Sequence, residues 1–353
     1  MMTLTTRHLT PSAYLTGHGG NEVVHVGERE VPALKPGQVR VRMHAATLNQ
    51  VDLYMRNSGV GITHQLPQTL GLDGAGVVEA VAEDVCTVQA GQAVVIYPAE
   101  TCGHCEFCER GEDTLCLDVS YIGEHRDGTF CQQLVLSAQN VFPMPEGLRF
   151  VEAAAFGVTY LTAWRMLVSK ARLQPWETVL IFGVGGGVSL AAMQLAKLMG
   201  ARVWVTSRHA DKLERALALG ADHAIDASRQ DVAREVMALT QGRGVDVVIE
   251  NVGAATWSAA MRSLVRGGRL VTCGATSGDQ PPADIRRIFI RQLQILGSTL
   301  GNRDEFRAML GFCERAGLRP VIDSVYPLAD VHQALSRLSS GQQFGKVCLT
   351  MDA

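Results

Sequence analysis

Val179-Leu180-Ile181-Phe182-Gly183-Val184-Gly185-Gly186-Gly187-Val188-Ser189 runs from an unbroken apolar segment into a glycine-rich loop and on into a helical pattern. The apolar residues read as a strand covered on both faces. The glycines allow a backbone to come close to a pyrophosphate, and the helix that follows offers unpaired N–H groups and the positive end of its dipole. Gly183, Gly185, Gly186, Gly187 and Val188 are therefore candidate phosphate contacts. The third small position of such a loop, where helix and strand must approach closely, holds Ser189, and serine is small enough to serve. A purely structural turn could also use these glycines, but here strand, loop, helix and second strand arrive in the register of a βαβ unit.

Downstream, strands at 202–206, 245–251 and 270–273 and a helix at 211–219 predict right-handed βαβ units in a parallel sheet. Upstream of about residue 157 the texture changes. Short β-branched runs at 39–45, 76–82, 93–96 and 131–136, cut by Gly and Pro, read as antiparallel strands. With 353 residues, 47% of them hydrophobic, the chain exceeds what one core usually organises, so two domains are expected. Helices at 303–316 and 330–339 and a strand at 346–349 close the chain, and periodicity does not assign them to either domain.

About twenty residues past the glycine loop, where a carboxylate usually meets the ribose 2′-hydroxyl, the chain reads Thr206-Ser207-Arg208-His209. A carboxylate would repel a 2′-phosphate, whereas Ser207 with Arg208 beside it can accept one through charge-assisted hydrogen bonds. NADPH is favoured, with NADH possible if Arg208 only points to water.

Cys102, Cys105, Cys108 and Cys116 lie within fifteen residues. Three thiols at Cys-x-x-Cys-x-x-Cys spacing and a fourth shortly after suit one closed tetrahedral zinc site of a structural kind. Two disulfides are the alternative, but nothing in the chain marks an oxidising compartment. Cys86, Cys131, Cys273, Cys313 and Cys348 show no pairing rhythm, as for reduced thiols in a cytoplasmic protein. The N-terminal MMTLTTRHLT has no apolar core of signal-peptide length, and no stretch is long and apolar enough to span a bilayer. A net charge of −3 argues against nucleic acid as a partner, and the arginines at 262, 266, 269, 286, 287 and 291 read as solvated faces.

Taken together, the cysteine lobe, Leu70-Gly71-Leu72-Asp73-Gly74-Ala75-Gly76-Val77-Val78, the glycine loop, Glu250-Asn251-Val252-Gly253, Cys273-Gly274-Ala275 and Gly297-Ser298-Thr299-Leu300-Gly301 resemble the medium-chain dehydrogenase/reductase superfamily of zinc alcohol dehydrogenases and quinone oxidoreductases. The resemblance covers essentially the whole chain. It implies an α/β protein with a GroES-like domain at 1–158 carrying a zinc lobe at 102–116, a doubly wound Rossmann domain at 159–300, and a C-terminal return at 301–353. It also implies an active site in a cleft between domains and a homodimer or homotetramer built through an edge strand near 293–299. Thr162 resembles the family position that contacts the nicotinamide, although a mid-helix threonine also bonds its own backbone. Asn251, Gly274, Leu300 and Gly301 are expected to line the nicotinamide half of the groove, and Lys212 to reach the adenosine ribose or 2′-phosphate. Phe344-Gly345-Lys346 either closes the cleft or merely starts a strand.

The departures from the alcohol dehydrogenase branch carry most of the functional reading. The positions matching its three catalytic zinc ligands are Asn49, Leu72 and approximately Val158. An amide and two alkyl chains do not hold Zn2+. A substitute set drawn from Asp73, His64, Glu124 and His125 matches no known metal spacing. Asn49-Gln50-Val51-Asp52-Leu53-Tyr54 resembles the Asn-x-x-Asp-x-Tyr pattern of zinc-free quinone reductases, which implies Asn49 as a donor to the substrate oxygen, Tyr54 as a second donor or proton source, and Asp52 as the residue orienting this loop. Asn49 could instead satisfy a turn, and Tyr54 could face water. The leading expectation is an NADPH-dependent reductase of quinones, enones or enoyl thioesters. A zinc-dependent alcohol dehydrogenase with an unorthodox second metal and an NADPH-binding protein without turnover are the alternatives.

Overall fold

The computed structural model describes residues 8–351, so most of the N-terminal segment read for targeting signals lies outside the described residues. Among them, no helix is long and apolar enough to cross a membrane. The chain divides into two compact units. One comprises the residues up to Val158 and from Asn302 onward, and the other is Thr159–Gly301.

The first unit is built on strands. Its main sheet runs in the order Val141–Pro143, Ala93–Ile96, Asp73–Val81, Gln38–Thr47, Lys346–Thr350, Ile322–Pro327, with Gln133–Ser137 also paired to Gln38–Thr47. Alternation of buried and half-exposed residues along Gln38–Thr47 is the pattern of a sheet with one face on a core. Val39, Val41, Met43, Val78, Ile96 and Leu349 fill that core. The last strand settles where the C-terminal segment belongs. Cys348 pairs with Thr47 antiparallel, and Thr47 pairs with Asp73 on its other side. Three strand ends are thus brought to one end of the sheet by register alone.

The second unit holds a six-stranded, fully parallel sheet in the order His223–Asp226, Arg202–Ser207, Thr178–Ile181, Val245–Glu250, Leu264–Thr272, Gln294–Gly297. Thr178–Ile181 and Val245–Glu250 are buried along their whole length, which explains why they read as continuous apolar runs rather than alternating ones. The strand order reverses beside Thr178–Ile181, the position that makes a crevice at the carboxyl ends of the strands.

Of the six arginines read as solvated faces, Arg262, Arg266 and Arg286 are exposed, but two others behave otherwise. Arg269 turns inward and makes a two-pronged pair with Glu177 at 2.7 and 2.6 Å, while Arg287 donates to the carbonyls of Met261 and Arg262 at the end of the helix Ala254–Ser263. Charge spacing alone did not reveal that these two guanidinium groups had helix-end carbonyls and a carboxylate to meet.

Candidate functional site

Within the first unit, the sheet register gathers a buried polar cluster. Thr47 ends one strand, Asp73 begins its neighbour, and Lys346 begins the strand on the other side. Asn49 caps the helix Gln50–Asn57 that follows Thr47. The Lys346 ammonium donates to Asn49 Oδ1 at 2.6 Å and to Asp73 Oδ2 at 3.0 Å. Asn49 Nδ2 and Thr47 Oγ1 donate to the same Asp73 oxygen at 2.9 and 2.8 Å, and the Val158 backbone N–H donates to Asp73 Oδ1 at 2.6 Å. Lys346 can only donate and Asp73, ionised, can only accept, so these two fix which way the Asn49 amide faces. Its Nδ2 keeps one hydrogen beyond the bond to Asp73.

Asp52 sits beneath this cluster, fully buried. It accepts from the backbone N–H of Asn49 at 2.7 Å and of Gly71 at 3.2 Å, tying the helix start to the loop before Asp73. Gly71 has φ of +98°, and a Cβ there would lie 2.2 Å from the Phe130 ring, so only glycine supplies this donor. Burial, reinforced by the Asp73 charge, pushes the Asp52 carboxyl up to about 7 against the two backbone donors. The cluster thus contains one ammonium and two carboxyl groups, and burial favours the protonated form of Asp52.

Tyr54 lies on the same helix but is 43% exposed, and its hydroxyl donates to the Val60 carbonyl. That hydrogen is already spent, so the geometry does not support the donor role expected of Tyr54; the phenol oxygen remains an acceptor. Gly345, with φ of +117°, packs against the Val321 carbonyl, and Lys346 N donates to that same oxygen at 2.9 Å. Phe344-Gly345-Lys346 is therefore a strand start, whose lysine enters the polar cluster. From sequence, Thr47 is not singled out, Asp73 is weighed only as a metal ligand, and Lys346 only as part of a segment closing the cleft. The available signal was a charged residue, Asp73 or Lys346, opening a strand whose next residues are small or apolar.

In the second unit the glycine loop stands at the end of Thr178–Ile181, and the helix Gly187–Leu198 begins within it. Gly185 has φ of +113°, and a Cβ there would come 2.7 Å from Lys212 Cδ. Glycine is required both for the conformation and for the lysine stem laid across the loop. Lys212 is thereby placed beside the backbone of the glycine loop. Thr206 secures the loop: its carbonyl accepts from Val184 N at 2.8 Å and its hydroxyl from Gly183 N at 3.4 Å. Ser207 is buried at the strand end and accepts from His209 N at 3.2 Å, while Arg208 is exposed beside it. Ser189, in place of a third glycine, donates to the Phe182 carbonyl at 2.8 Å and accepts from Asn251 Nδ2 at 3.0 Å. Its hydroxyl ties strand, helix and Asn251 together where a glycine would only have made room. Gly274 lies against the Asn251 backbone, Leu300 is buried in a left-handed conformation with φ of +46°, Gly301 follows it, and Thr162 is buried on the helix Leu161–Trp164.

The four lobe cysteines bring their sulfurs within 4.8 Å of one another. Cys102 and Cys116 sulfurs are 3.5 Å apart, and those of Cys102 and Cys108 3.9 Å. Tetrahedral zinc with bonds of about 2.3 Å places its sulfurs about 3.8 Å apart, whereas a disulfide needs about 2 Å. Backbone N–H groups of Cys102, Cys105 and Asp118 approach the sulfurs at 3.3 to 3.4 Å, the outer contacts that stabilise thiolates. The set fits a closed zinc site.

Two family models match the chain: the alcohol dehydrogenase GroES-like domain over residues 35–146 and the zinc-binding dehydrogenase over 187–315. An NAD-dependent alcohol dehydrogenase of Saccharolobus solfataricus is 30% identical over 331 residues, 90% of this chain and 94% of that protein. An alcohol dehydrogenase of Geobacillus stearothermophilus is 31% identical, over 93% of this chain and 96% of that protein. A crystal structure of an NAD-dependent alcohol dehydrogenase superposes with a TM-score of 0.93 at 41% identity, covering 97% of this chain and 100% of that one. This chain belongs to the zinc-type alcohol dehydrogenase-like medium-chain dehydrogenase/reductases.

As a medium-chain dehydrogenase/reductase it is a nicotinamide-dependent oxidoreductase. Its residues do not fit a family-type catalytic zinc. Asn49 is committed to Lys346 and Asp73, Leu72 is a buried alkyl group, and Val158 contributes only its backbone N–H. Among the described residues, the cysteine lobe is the one group of three or more His, Cys, Asp or Glu side chains close enough to share an ion. Glu124 is half-buried, and the lost hydration pushes its carboxyl up to about 7, while His125 Nδ1 accepts from Tyr121 N; neither joins Asp73.

Proposed function

We propose that this medium-chain reductase uses NADPH to reduce an activated C=C bond or a quinone, in an enone, quinone or enoyl thioester, and carries one structural zinc per subunit in its cysteine lobe. The observation that carries this reading is the cluster at the catalytic-ligand positions: the amide of Asn49 is held by Lys346 on its carbonyl side and Asp73 on its amino side. NADPH supplies the hydride. Reduction of an electron-poor carbon leaves an enolate or hydroquinone oxyanion, which needs hydrogen-bond donors and a proton rather than a Lewis acid. Asn49 offers its remaining Nδ2 hydrogen to that oxygen, and Lys346 keeps the amide from turning its carbonyl toward it. Asp52 holds the backbone of Asn49 in place through the helix start.

Preference for NADPH is supported by Ser207, Arg208 and Lys212 around the end of Arg202–Ser207, where Ser207 stands in place of the usual strand-end carboxylate. Association into a homodimer or homotetramer is supported by the open edge of Gln294–Gly297 and the exposed Ile285 and Phe289 on the neighbouring helix Ile285–Arg291. Nine cysteines, none of them in a disulfide, accord with a cytoplasmic setting.

A second reading, an NAD-dependent alcohol dehydrogenase, is favoured by the names of the relatives. An acceptor screen separates them. With NADPH, quinones, enones and acyl-CoA thioesters are expected to turn over faster than simple aldehydes, and primary alcohols with NAD+ to be poor substrates. Efficient alcohol oxidation abolished by a chelator would overturn the proposal, as would turnover supported at lower concentrations of NADH than of NADPH.

A further inference from the structure

His18 and His64 meet with their Nε2 atoms 3.2 Å apart and their rings inclined at 84°. His18 Nδ1 lies 3.0 Å from the Met55 carbonyl oxygen, and His64 Nδ1 lies 2.7 Å from that of Ile62. A carbonyl oxygen only accepts, so each Nδ1 carries the hydrogen and Nε2 is the atom each ring has left to offer a ligand. Two lone pairs at hydrogen-bond distance repel unless something electron-poor lies between them. We propose that His18 and His64 form a second metal site, for a divalent transition ion of the zinc class, separate from both the cysteine lobe and the Asn49 cluster.

Three features of the pair are those of a built site. At metal–nitrogen distances of about 2.0 to 2.1 Å, this separation corresponds to an angle of about 100° at the ion, close to tetrahedral. Each ring is held by a backbone carbonyl on its far nitrogen, the outer contact that fixes tautomer and orientation in histidine ligands. Gly59, with φ of +54°, makes the approach possible: a Cβ there would lie 2.7 Å from His64 Cε1 and 3.2 Å from His18 Cε1. His18 is exposed and His64 half-buried, so water can complete the coordination. The ion would join the turn after Leu9–Leu15 to the loop after Gln50–Asn57, and the same turn is already linked to the last turn of that helix by the bond from Gly19 N to Arg56 O at 2.9 Å. Asn49 is six residues from Met55 along that helix, about 9 Å, so the ion would stiffen the helix end without touching the cluster.

The test uses the full chain with its cysteine site loaded, equilibrated with added zinc, and compares it with His18→Gln and His64→Gln by calorimetry and metal analysis after gel filtration. One further zinc per chain is expected to bind the parent protein and raise its Tm, and each variant is expected to bind it more than about tenfold more weakly. Metal-free melting of the variants reports whether they fold, and either variant alone suffices. No further zinc bound by the parent, which would leave a shared proton between the rings, overturns the site, as does equal uptake by both variants. Reductase turnover that persists in His64→Gln while the added zinc is lost marks the ion as distinct from any catalytic metal.

Discussion

The ammonium of Lys346 lies 3.0 Å from the Asp73 carboxylate with both side chains almost wholly out of water, at 4% and 0% exposure. Each is costly alone in such a place, and together with Asn49 and Thr47 they satisfy one another. Lys346→Met removes the ammonium and leaves Asp73 buried without its counter-charge. The expected cost is about 3 to 5 kcal/mol in urea unfolding, with a loss of turnover larger than any change in KM for NADPH. Lys346→Arg should recover part of the stability. Unchanged unfolding midpoints in the Met variant would show that the pair contributes nothing net.

Asn49→Ala removes the donor proposed for the substrate oxygen. kcat is expected to fall by about tenfold to a hundredfold, the range for loss of one oxyanion donor, with NADPH binding little changed. Single-turnover hydride transfer measured by stopped flow checks this directly, and near-normal rates would remove Asn49 from the chemistry.

Asp52 gives a pH signature. Its carboxyl is pushed up to about 7 by burial and by Asp73, whereas an unfolded aspartate titrates near 4. Between about 4 and 7 the native state therefore holds a proton that the unfolded chain has released, and this group's contribution to stability falls as pH rises, levelling off above about 7. Asp52→Asn lacks that slope. The difference in unfolding free energy between parent and variant should shift against the parent from pH 5 to pH 7 and stay constant above. Parallel curves would contradict the assignment.

Cys105→Ser should release the lobe zinc, since the three remaining sulfurs cannot close a tetrahedral site, and binding energy in such a site is folding energy. Metal analysis should drop from one cysteine-bound zinc per chain toward none, with a lower Tm. Retained zinc at the parent level would refute the closed four-sulfur site.

Arg208→Ala tests cofactor choice. Loss of a charge-assisted bond to a 2′-phosphate should raise KM for NADPH by about tenfold to a hundredfold while leaving KM for NADH nearly unchanged. Equal effects on both cofactors would mean that Arg208 points only to water.

The glycine loop, the strands and helices around it and the cysteine spacing were legible because each rests on local rules: a period of two or 3.6, a turn that only glycine makes, a short chelate loop. Where local reading fell short, long-range packing decided. The strand His223–Asp226 is too short to show a pattern. Leu264–Thr272 runs through Gly267-Gly268, a pair that reads as a turn when its sheet neighbours are unknown. Tyr54 stands in a reductase-like pattern, yet its hydroxyl is captured by the Val60 carbonyl, a contact set by how the loop folds back.

By itself the sequence determined the two kinds of domain, the nucleotide loop, the four-sulfur lobe and the absence of metal-holding side chains at Asn49, Leu72 and Val158. What fills that place only the tertiary structure decided. Lys346 is 273 residues from Asp73 and 297 from Asn49, and they meet because the sheet aligns Thr47 with both Asp73 and Cys348. A sequence shows which groups could carry charge. Strand register and exclusion of water decide which of them must face one another.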